Sequence, residues 1–187
     1  ISAIVVVRTL NHTRPPFINI AEVNIQLDEA KLAANLAAAI RFKTVSYQAA
    51  PGKQNQEFSN FLDWVVATYP QVNQVLELVL VNQSMLYKWQ GSDDALKPIL
   101  ITGHYDVVPV IPGSEKNWQQ PPFSGNIVDG VIWGRGALDD KSGVVGILQA
   151  VTYLLEQGFK PQRTVYLSFG HDEEIGGRNG AGAVTAL

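Results

Sequence analysis

Three short segments of this sequence carry histidine or carboxylate side chains close behind an apolar run of the kind that forms β-strands. The side chains concerned are His104 and Asp106, Asp139 and Asp140, and Glu173 and Glu174. Ligand sites gather at the carboxyl ends of strands in open α/β sheets, so the three segments are expected to meet there. Imidazole and carboxylate groups are also the ligands that a hard or borderline divalent metal prefers. The pattern therefore predicts a metal site around which the rest of the chain is organised.

The first segment pairs a histidine with an aspartate two residues later. In an extended strand the side chains of His104 and Asp106 point to the same side. A metal-binding histidine usually donates its other ring N–H to a carboxylate, which fixes the tautomer. Asp106 could be this partner, although a carboxylate from another segment could serve as well. Taken alone, the pair could also be a strand-end histidine that an aspartate holds for packing.

The two adjacent carboxylate pairs allow more than one interpretation each. One aspartate of Asp139 and Asp140 could accept hydrogen bonds from the first turn of the next helix, while the other binds metal and bridges two cations. Glu173 and Glu174 cannot serve the same point of an extended segment. One could therefore bind metal while the other acts as general base on a metal-bound water. A run of acidic residues is also common as a solvated turn.

The two remaining histidines and one lysine offer weaker alternatives. His12 lies in an irregular arm and is expected to be solvated, whereas His171 is expected to have a hydrogen-bonded structural role. A phosphate-binding loop would need glycine before Lys141. Asp140 stands there instead, and its charge would repel a phosphate.

Composition limits the class of protein. The 187 residues are 46% hydrophobic and 17% charged, which suits one domain with a sizeable core. The net charge of −3, without a basic run, gives no indication of nucleic acid as a partner. The absence of cysteine excludes disulfides and thiolate metal sites, so a metal must be held by His, Asp or Glu.

Periodicity and chain breakers predict an α/β fold. The expected helices are 27–42, 56–68, 142–156 and one from 180; the expected strands are 75–81, 85–90, 98–102 and 163–169, with a hairpin at 127–133. Pro70 is expected to stop the second helix. The all-apolar strand 98–102 is expected at the centre of a sheet covered on both faces. Four prolines between 108 and 125 predict a long irregular loop. The order of elements predicts a three-layer sandwich with a mixed central sheet flanked by helices.

The first 26 residues are expected to form an N-terminal arm, and residues 27–187 the domain itself. The apolar stretch 1–7 is far shorter than the ~20 residues of a membrane span. It could be the end of an anchor or signal segment, a short edge strand, or a disordered end. The first interpretation favours an extracytoplasmic or membrane-anchored location over a cytoplasmic one.

The sequence resembles the di-zinc metallopeptidases of the carboxypeptidase S and aminoacylase type. It is most similar to the branch that contains carboxypeptidase S and the N-fatty-acyl-amino-acid synthase/hydrolases. The resemblance runs from about Leu27 to the end, and its motifs occur in order at family-like spacing. These motifs are residues 103–109, Trp118 with 121–125, 129–130, 134–143 and 170–177.

The resemblance implies a role for each candidate residue. His104, Asp139 and Glu174 would bind two zinc ions, with Asp139 as the bridge and a cis peptide after it. Cobalt or manganese would also suit these ligands. The catalytic residues would be Glu173, as the general base, and Asp106, which would orient His104.

The implied reaction is hydrolysis of an amide or peptide bond in N-acyl amino acids or small peptides. Two zinc ions would acidify a shared water and polarise the carbonyl, and the base would pass the proton to the leaving amine. The family's two further ligands and its lid domain, through which such enzymes often dimerise, have no counterpart here. The chain is therefore expected to be the N-terminal part of the catalytic domain and inactive by itself. Alternatives are a non-catalytic ligand- or partner-binding protein on the same fold, and a hydrolase that uses one metal.

Overall fold

The computed structural model describes residues 2–13, 25–50 and 56–187. The helices are α1 (Ser2–Leu10), α2 (Glu29–Arg41), α3 (Gln56–Thr68), α4 (Pro70–Val75), α5 (Lys141–Glu156) and α6 (Ala181–Val184). The strands are β1 (Glu77–Val81), β2 (Ser84–Trp89), β3 (Ile99–His104), β4 (Asn126–Val128), β5 (Val131–Trp133) and β6 (Val165–Gly170). Short 3-10 turns cover Glu115–Asn117 and Glu173–Ile175.

A four-stranded mixed sheet in the order β1-β2-β6-β3 forms the centre of the fold. The pairs β1/β2 and β2/β6 are antiparallel, whereas β3 runs parallel to β6. Helix α5 packs beside β3, and α6 packs against β6 and β2. The predicted α/β class, with a mixed sheet flanked by helices, is confirmed. Because β3 and β6 are parallel and His104 pairs with Gly170, both strands end at the same edge of the sheet.

An aromatic cluster fixes the end of β3 to the helices. The ring of Tyr105 stacks on Phe61 with centroids 4.6 Å apart and planes 5° from parallel. Its hydroxyl donates to the carbonyl of Gln83 at 2.6 Å. Tyr105 is fully buried, and side chains alternate along extended backbone, so its neighbours His104 and Asp106 must face the other side.

The prediction that strand 98–102 lies at the centre of the sheet is wrong. Strand β3 is at one end of the strand order among the described residues. Ile99 and Leu100 are 43% and 55% exposed, although their side chains point to opposite faces. The uninterrupted apolar run indicates a strand suited to cover on both faces, but sequence periodicity carries no information about position within a sheet.

Several element boundaries also differ from expectation. Pro70 does end α3, but it also begins α4, because proline lacks the N–H that the first helical position leaves unpaired. As a result β1 starts at Glu77 rather than at Val75. The hairpin at 127–133 is confirmed, and its turn residues Asp129 and Gly130 both have positive φ, as a tight primed turn requires.

The apolar N-terminal stretch is helical, not a strand. Helix α1 exposes Ile4, Val5 and Leu10. Across the parts of the chain that the structure describes, no helix combines the length and apolarity needed to span a membrane. Most of the predicted arm after α1, residues 14–24, and the loop portion 51–55 lie outside the described residues.

A buried lysine connects the start of α5 to the end of α2. Lys141 is fully buried, and its Nζ donates to the carbonyls of Ala39 at 3.0 Å and Phe42 at 2.6 Å. The same Nζ lies 5.5 Å from the ring centroid of Phe61. Ala39 lies in the last turn of α2, where its carbonyl also accepts from the Phe42 N–H, and Phe42 is the residue that caps the helix. Burial lowers the pKa of Lys141 to about 7, and the negative charges of Glu57 and Asp106 offset part of this shift.

We expect Lys141→Met to lower the free energy of unfolding by about 1–3 kcal/mol, because the carbonyl of Phe42 loses its lysine donor and that of Ala39 loses one of its two donors. Urea denaturation followed by tryptophan fluorescence measures the change. Lys116→Met, at an exposed lysine, is the matched control and should stay within about 0.5 kcal/mol of the wild type. Equal stability of both variants would contradict this role of Lys141.

Candidate metal centre

The candidate site lies where the parallel strands β3 and β6 end side by side. His104 is the last residue of β3, and the extended backbone continues to Val107, which bridges Val45. His104 Nδ1 lies 3.3 Å from Asp106 Oδ1 and 3.1 Å from the Asp106 carbonyl oxygen. The two side chains therefore share one side of the chain, as their spacing predicts.

The carboxylate of Asp106 also holds the end of β6. It is fully buried and accepts hydrogen bonds from the backbone N–H groups of Glu173 at 3.1 Å and Glu174 at 3.2 Å. The two bonds use different oxygens, so the carboxylate spans both amides. Asp106 thus fixes the backbone of the paired glutamates relative to the His104 ring.

Three side chains converge on the outer nitrogen of His104. His104 Nε2 lies 2.9 Å from Asp139 Oδ1 and 3.7 Å from Glu173 Oε2. One ligand atom each from His104, Asp139 and Glu174 lie within 4.8 Å of one another. Asp139 and Glu173 are largely exposed at 75% and 61% of their side-chain surface, so their carboxylates face the solvent side of the site.

The peptide bond between Asp139 and Asp140 is cis. The two carboxylates have different partners: Asp139 points to the His104 ring, and Asp140 Oδ2 accepts from the His104 backbone N–H at 3.3 Å. Asp140 occupies the N-cap position of α5, but its side chain makes no capping hydrogen bond. The interpretation of this residue as a side-chain helix cap is therefore wrong, because its carboxylate serves the end of β3 instead.

Accumulated carboxylates shift the pKa of two groups in the site. Burial raises the pKa of Glu174, and the negative charge of Asp139 raises it further. Burial opposes the charged form of His104, but the hydrogen bond and charge of Asp106 and the bond to Asp139 outweigh it and raise its pKa to about 9. The cluster therefore attracts positive charge, and at neutral pH without metal a proton on His104 supplies it.

These observations fit a divalent cation. The donor set of one imidazole and several carboxylates is suitable for zinc, cobalt or manganese. A cation would relieve the repulsion that raises the pKa of Glu174, and it would replace the proton on His104 Nε2. Asp106 beside Nδ1 leaves Nε2 as the ligand nitrogen.

A cavity of about 310 Å³ opens beside the site. Its lining includes Thr102, His104, Asp140, Ser168, Asp172 and Glu173. A larger apolar groove of about 640 Å³ lies between β3 and α5, but none of the predicted site residues lines it.

The other histidines behave as the sequence predicts. His171 is fully buried, and its Nδ1 lies 2.7 Å from Ser84 Oγ, which is a structural hydrogen bond. His12 is exposed after the end of α1.

The sequence gives no signal for a further segment that supports the site. Thr44 Oγ1 donates to the carbonyl of Tyr105 at 2.6 Å, and Ser46 Oγ donates to the carbonyl of His171 at 3.2 Å. Residues 44–46 thus contact both strand ends, although they belong to a stretch that looks like a plain loop. Thr44 and Tyr105 are 61 residues apart in the sequence, and only the fold brings them into contact.

Residues 100–187 match the model of peptidase family M20/M25/M40. The chain is 48% identical over 158 residues to Probable carboxypeptidase S-like 2 of Dictyostelium discoideum, covering 83% of this chain and 30% of that protein. It is 43% identical over 157 residues to the N-fatty-acyl-amino acid synthase/hydrolase PM20D1 of Xenopus tropicalis, with coverage of 82% and 30%. Against Carboxypeptidase S of Saccharomyces cerevisiae the identity is 37% over 160 residues, with coverage of 81% and 28%. The chain thus spans under a third of the length of these relatives.

Solved structures share the fold. Human carnosine dipeptidase 1 matches with a TM-score of 0.64 at 22% identity, covering 79% of this chain and 33% of that one. The M20 family metallo-carboxypeptidase Sso-CP2 from Sulfolobus solfataricus matches with a TM-score of 0.62 at 24% identity, covering 80% and 32%. The resemblance to carboxypeptidase S and the N-fatty-acyl-amino-acid synthase/hydrolases is confirmed by the relatives above.

The raised pKa of His104 predicts a pH dependence of the metal-free protein. Its charged form stabilises the fold fully below pH 6.5, the unfolded value, and this stabilisation is lost as pH rises through about 9. Relative to His104→Gln, the wild type should therefore lose up to about 3 kcal/mol of unfolding free energy across this window. Urea denaturation with chelator at several pH values measures the difference.

Comparison between variants is needed because the depressed pKa of Lys141 gives an opposite slope above pH 7. His12→Gln, at an exposed histidine, is the control and should follow the wild type. Saturating zinc should abolish the His104 trend, because zinc needs the unprotonated ring nitrogen. A pH-independent difference between wild type and His104→Gln would contradict the prediction.

Proposed function

Residues 100–187 belong to peptidase family M20/M25/M40, and on this premise we propose that the protein is a metal-dependent hydrolase of amide or peptide bonds. The observation that carries the proposal is the convergence of His104, Asp139 and Glu174, with Glu173 beside them. The proposed substrates are N-acyl amino acids or small peptides. This choice of substrates is supported by the similarity of the chain to carboxypeptidase S and to N-fatty-acyl-amino acid synthase/hydrolases.

We further propose two zinc ions as the cofactor. His104 Nε2 and the carboxylates of Asp139 and Glu174 would hold them, and Asp139 has two oxygens with which to bridge both. When bound, the ions would supply the positive charge that polarises an amide carbonyl and makes a water acidic.

Glu173 is the group best placed to move the proton. Its Oε2 is 3.7 Å from His104 Nε2, and the residue lines the cavity beside the site. Its backbone is held by Asp106, so the side chain projects from a fixed point. A carboxylate so placed can accept the proton of an attacking water and deliver it to the leaving amine nitrogen.

Asp106 acts on His104 rather than on the substrate. It is fully buried and lies 3.3 Å from Nδ1, on the side of the ring away from the cluster of ligand atoms. This contact orients the ring and increases the basicity of Nε2. Asp106 is therefore proposed as a positioning residue, the role of orienting His104 that the resemblance implies.

The irregular loop between Asp106 and β4 is a candidate for the specificity of the acyl group. Ile111 is 73% exposed on this loop and could contact an apolar chain. Trp118 lies against the guanidinium of Arg135 at 5.1 Å and serves the packing of the loop.

We expect Glu173→Ala in the intact protein to lower turnover about 10²- to 10⁴-fold, because the proton acceptor is lost. Zinc content should stay unchanged, since Glu173 is not among the proposed ligands. Release of the amine from a panel of N-acyl amino acids and dipeptides gives turnover, and elemental analysis gives zinc. Glu115→Ala, at an exposed glutamate, is the control. Turnover retained in Glu173→Ala would contradict the proposed base.

Zinc stoichiometry tests the proposed ligands separately. After equilibration with a slight excess of zinc and desalting, the intact wild type should retain about two ions per chain. Asp139→Ala should lose both ions, because its carboxylate would help to hold each of them, whereas Glu174→Ala should lose only one. The control Asp63→Ala, at an exposed aspartate of α3, should retain both. Full activity with a single tightly held zinc would instead favour a one-metal hydrolase.

A further inference from the structure

Asp172 is a second buried carboxylate at the end of β6, immediately before the paired glutamates. It is 2% exposed and does not belong to the group of converging ligand atoms. One of its oxygens accepts from the N–H of Asn179 at 2.7 Å, and the other accepts from the N–H of Gly180 at 2.9 Å. Its side chain therefore closes the loop 172–180 that carries both glutamates.

The backbone of Asp172 closes the same loop from within. Its carbonyl accepts from the N–H of Ile175 at 3.2 Å and from that of Gly177 at 2.8 Å. The far end of the loop is tied to the sheet, because the carbonyl of Asn179 accepts from Asn82 Nδ2 at 2.7 Å. Asp172 thus contacts the middle and the end of the loop that it begins.

The chemistry of this contact requires an aspartate. Two N–H donors face the side chain, one at each oxygen, so both atoms must accept. Asparagine has the same shape, but its NH₂ group would meet one of the N–H donors head-on. Charge-assisted hydrogen bonds to two amides offset the desolvation of a buried carboxylate, which an unpaired charge would not.

Gly180 shows how closely the partners fit. A Cβ at this position would collide with Asp172 Oδ1 and would lie 2.8 Å from Ser84 Oγ. Any side chain at 180 would therefore push the carboxylate away from the two N–H groups. This offers a second way to disturb the contact, one that leaves the charge of Asp172 intact.

We propose that Asp172 is a positioning residue that sets the geometry of Glu173 and Glu174 for metal binding and proton transfer. Asp106 fixes the two glutamates from the β3 side through their amides. Asp172 holds the rest of the loop, so that the glutamate side chains keep one direction relative to His104 and Asp139. The inference rests on the proposed function, because it needs a metal site to position.

The first test is Asp172→Asn in the intact protein, with zinc affinity measured by competition against a chromophoric chelator. We expect affinity about 10- to 100-fold weaker, the range typical of groups that orient metal ligands. Asp28→Asn is the matched control. Asp28 also accepts a backbone N–H, that of Lys31 at 2.9 Å, but at the start of α2. Its zinc affinity should equal that of the wild type.

The second variant, Gly180→Ala, separates position from charge and serves if Asp172→Asn folds poorly. It should weaken zinc affinity at least about tenfold although the carboxylate charge remains. Gly146→Ala is the control, because a Cβ there meets no neighbour. If Asp172→Asn weakens affinity but Gly180→Ala does not, the effect is electrostatic and the positioning role is overturned.

Steady-state kinetics at saturating zinc provides a further readout. A misdirected Glu173 should lower kcat of Asp172→Asn about tenfold or more with little change in KM, whereas a purely structural role would leave kcat of the folded, zinc-loaded variant unchanged. Failure of the wild type to bind zinc and turn over substrate would overturn the proposed function itself. A wild type that does both, with Asp172→Asn equal to it, would overturn only the role of Asp172.

Discussion

The buried carboxylate of Asp106 is the contact on which the candidate site depends. It lies 3.3 Å from the His104 ring and accepts from the amides of Glu173 and Glu174, so one side chain joins the ends of two strands. A fully buried carboxylate is strongly destabilising unless its partners are in place. Any slip of β6 against β3 would separate the charge from those partners. The parallel register that pairs His104 with Gly170 is therefore also the register that assembles the site.

Positioning of these groups is inseparable from packing of the core. Tyr105 stacks on Phe61 in the hydrophobic interior, and this sends the side chains on either side of it towards the site. Lys141, directly after the Asp139–Asp140 turn, reaches to the end of α2 and contacts the same Phe61 ring. The Asp139–Asp140 turn and the end of β3 are therefore both positioned by contacts with the ring of Phe61. The exposed carboxylates of Asp139 and Glu173 are thus adjacent to, or held by, residues that are buried.

Much of the site could be predicted from sequence because its chemistry is local. The spacing of His104 and Asp106 carries the geometry of their contact, and a carboxylate pair after a strand is visible in the letters alone. Contacts of Lys141 and Asp172 could not be predicted, since their partners are backbone groups that only the fold brings near. Nor does an apolar run reveal that β3 lies at the end of the strand order, because hydrophobicity reports burial potential and not neighbours. The separate roles of Glu173 as general base and Glu174 as metal ligand could be assigned only from the family resemblance.

The charge balance of the site argues that its arrangement serves a cation. Asp106, Asp139, Glu173 and Glu174 surround one imidazole, and their mutual repulsion contributes to the raised pKa of Glu174. Without a cation, a proton on His104 offsets part of this negative charge: burial lowers the pKa of His104, but the contacts with Asp106 and Asp139 outweigh it and raise the pKa to about 9. A cluster selected for stability alone would not concentrate like charges around a single partner. Two of the carboxylates that repel one another in the metal-free protein, Asp139 and Glu174, are proposed ligands of the divalent ion, so the electrostatic repulsion and the proposed function have one origin.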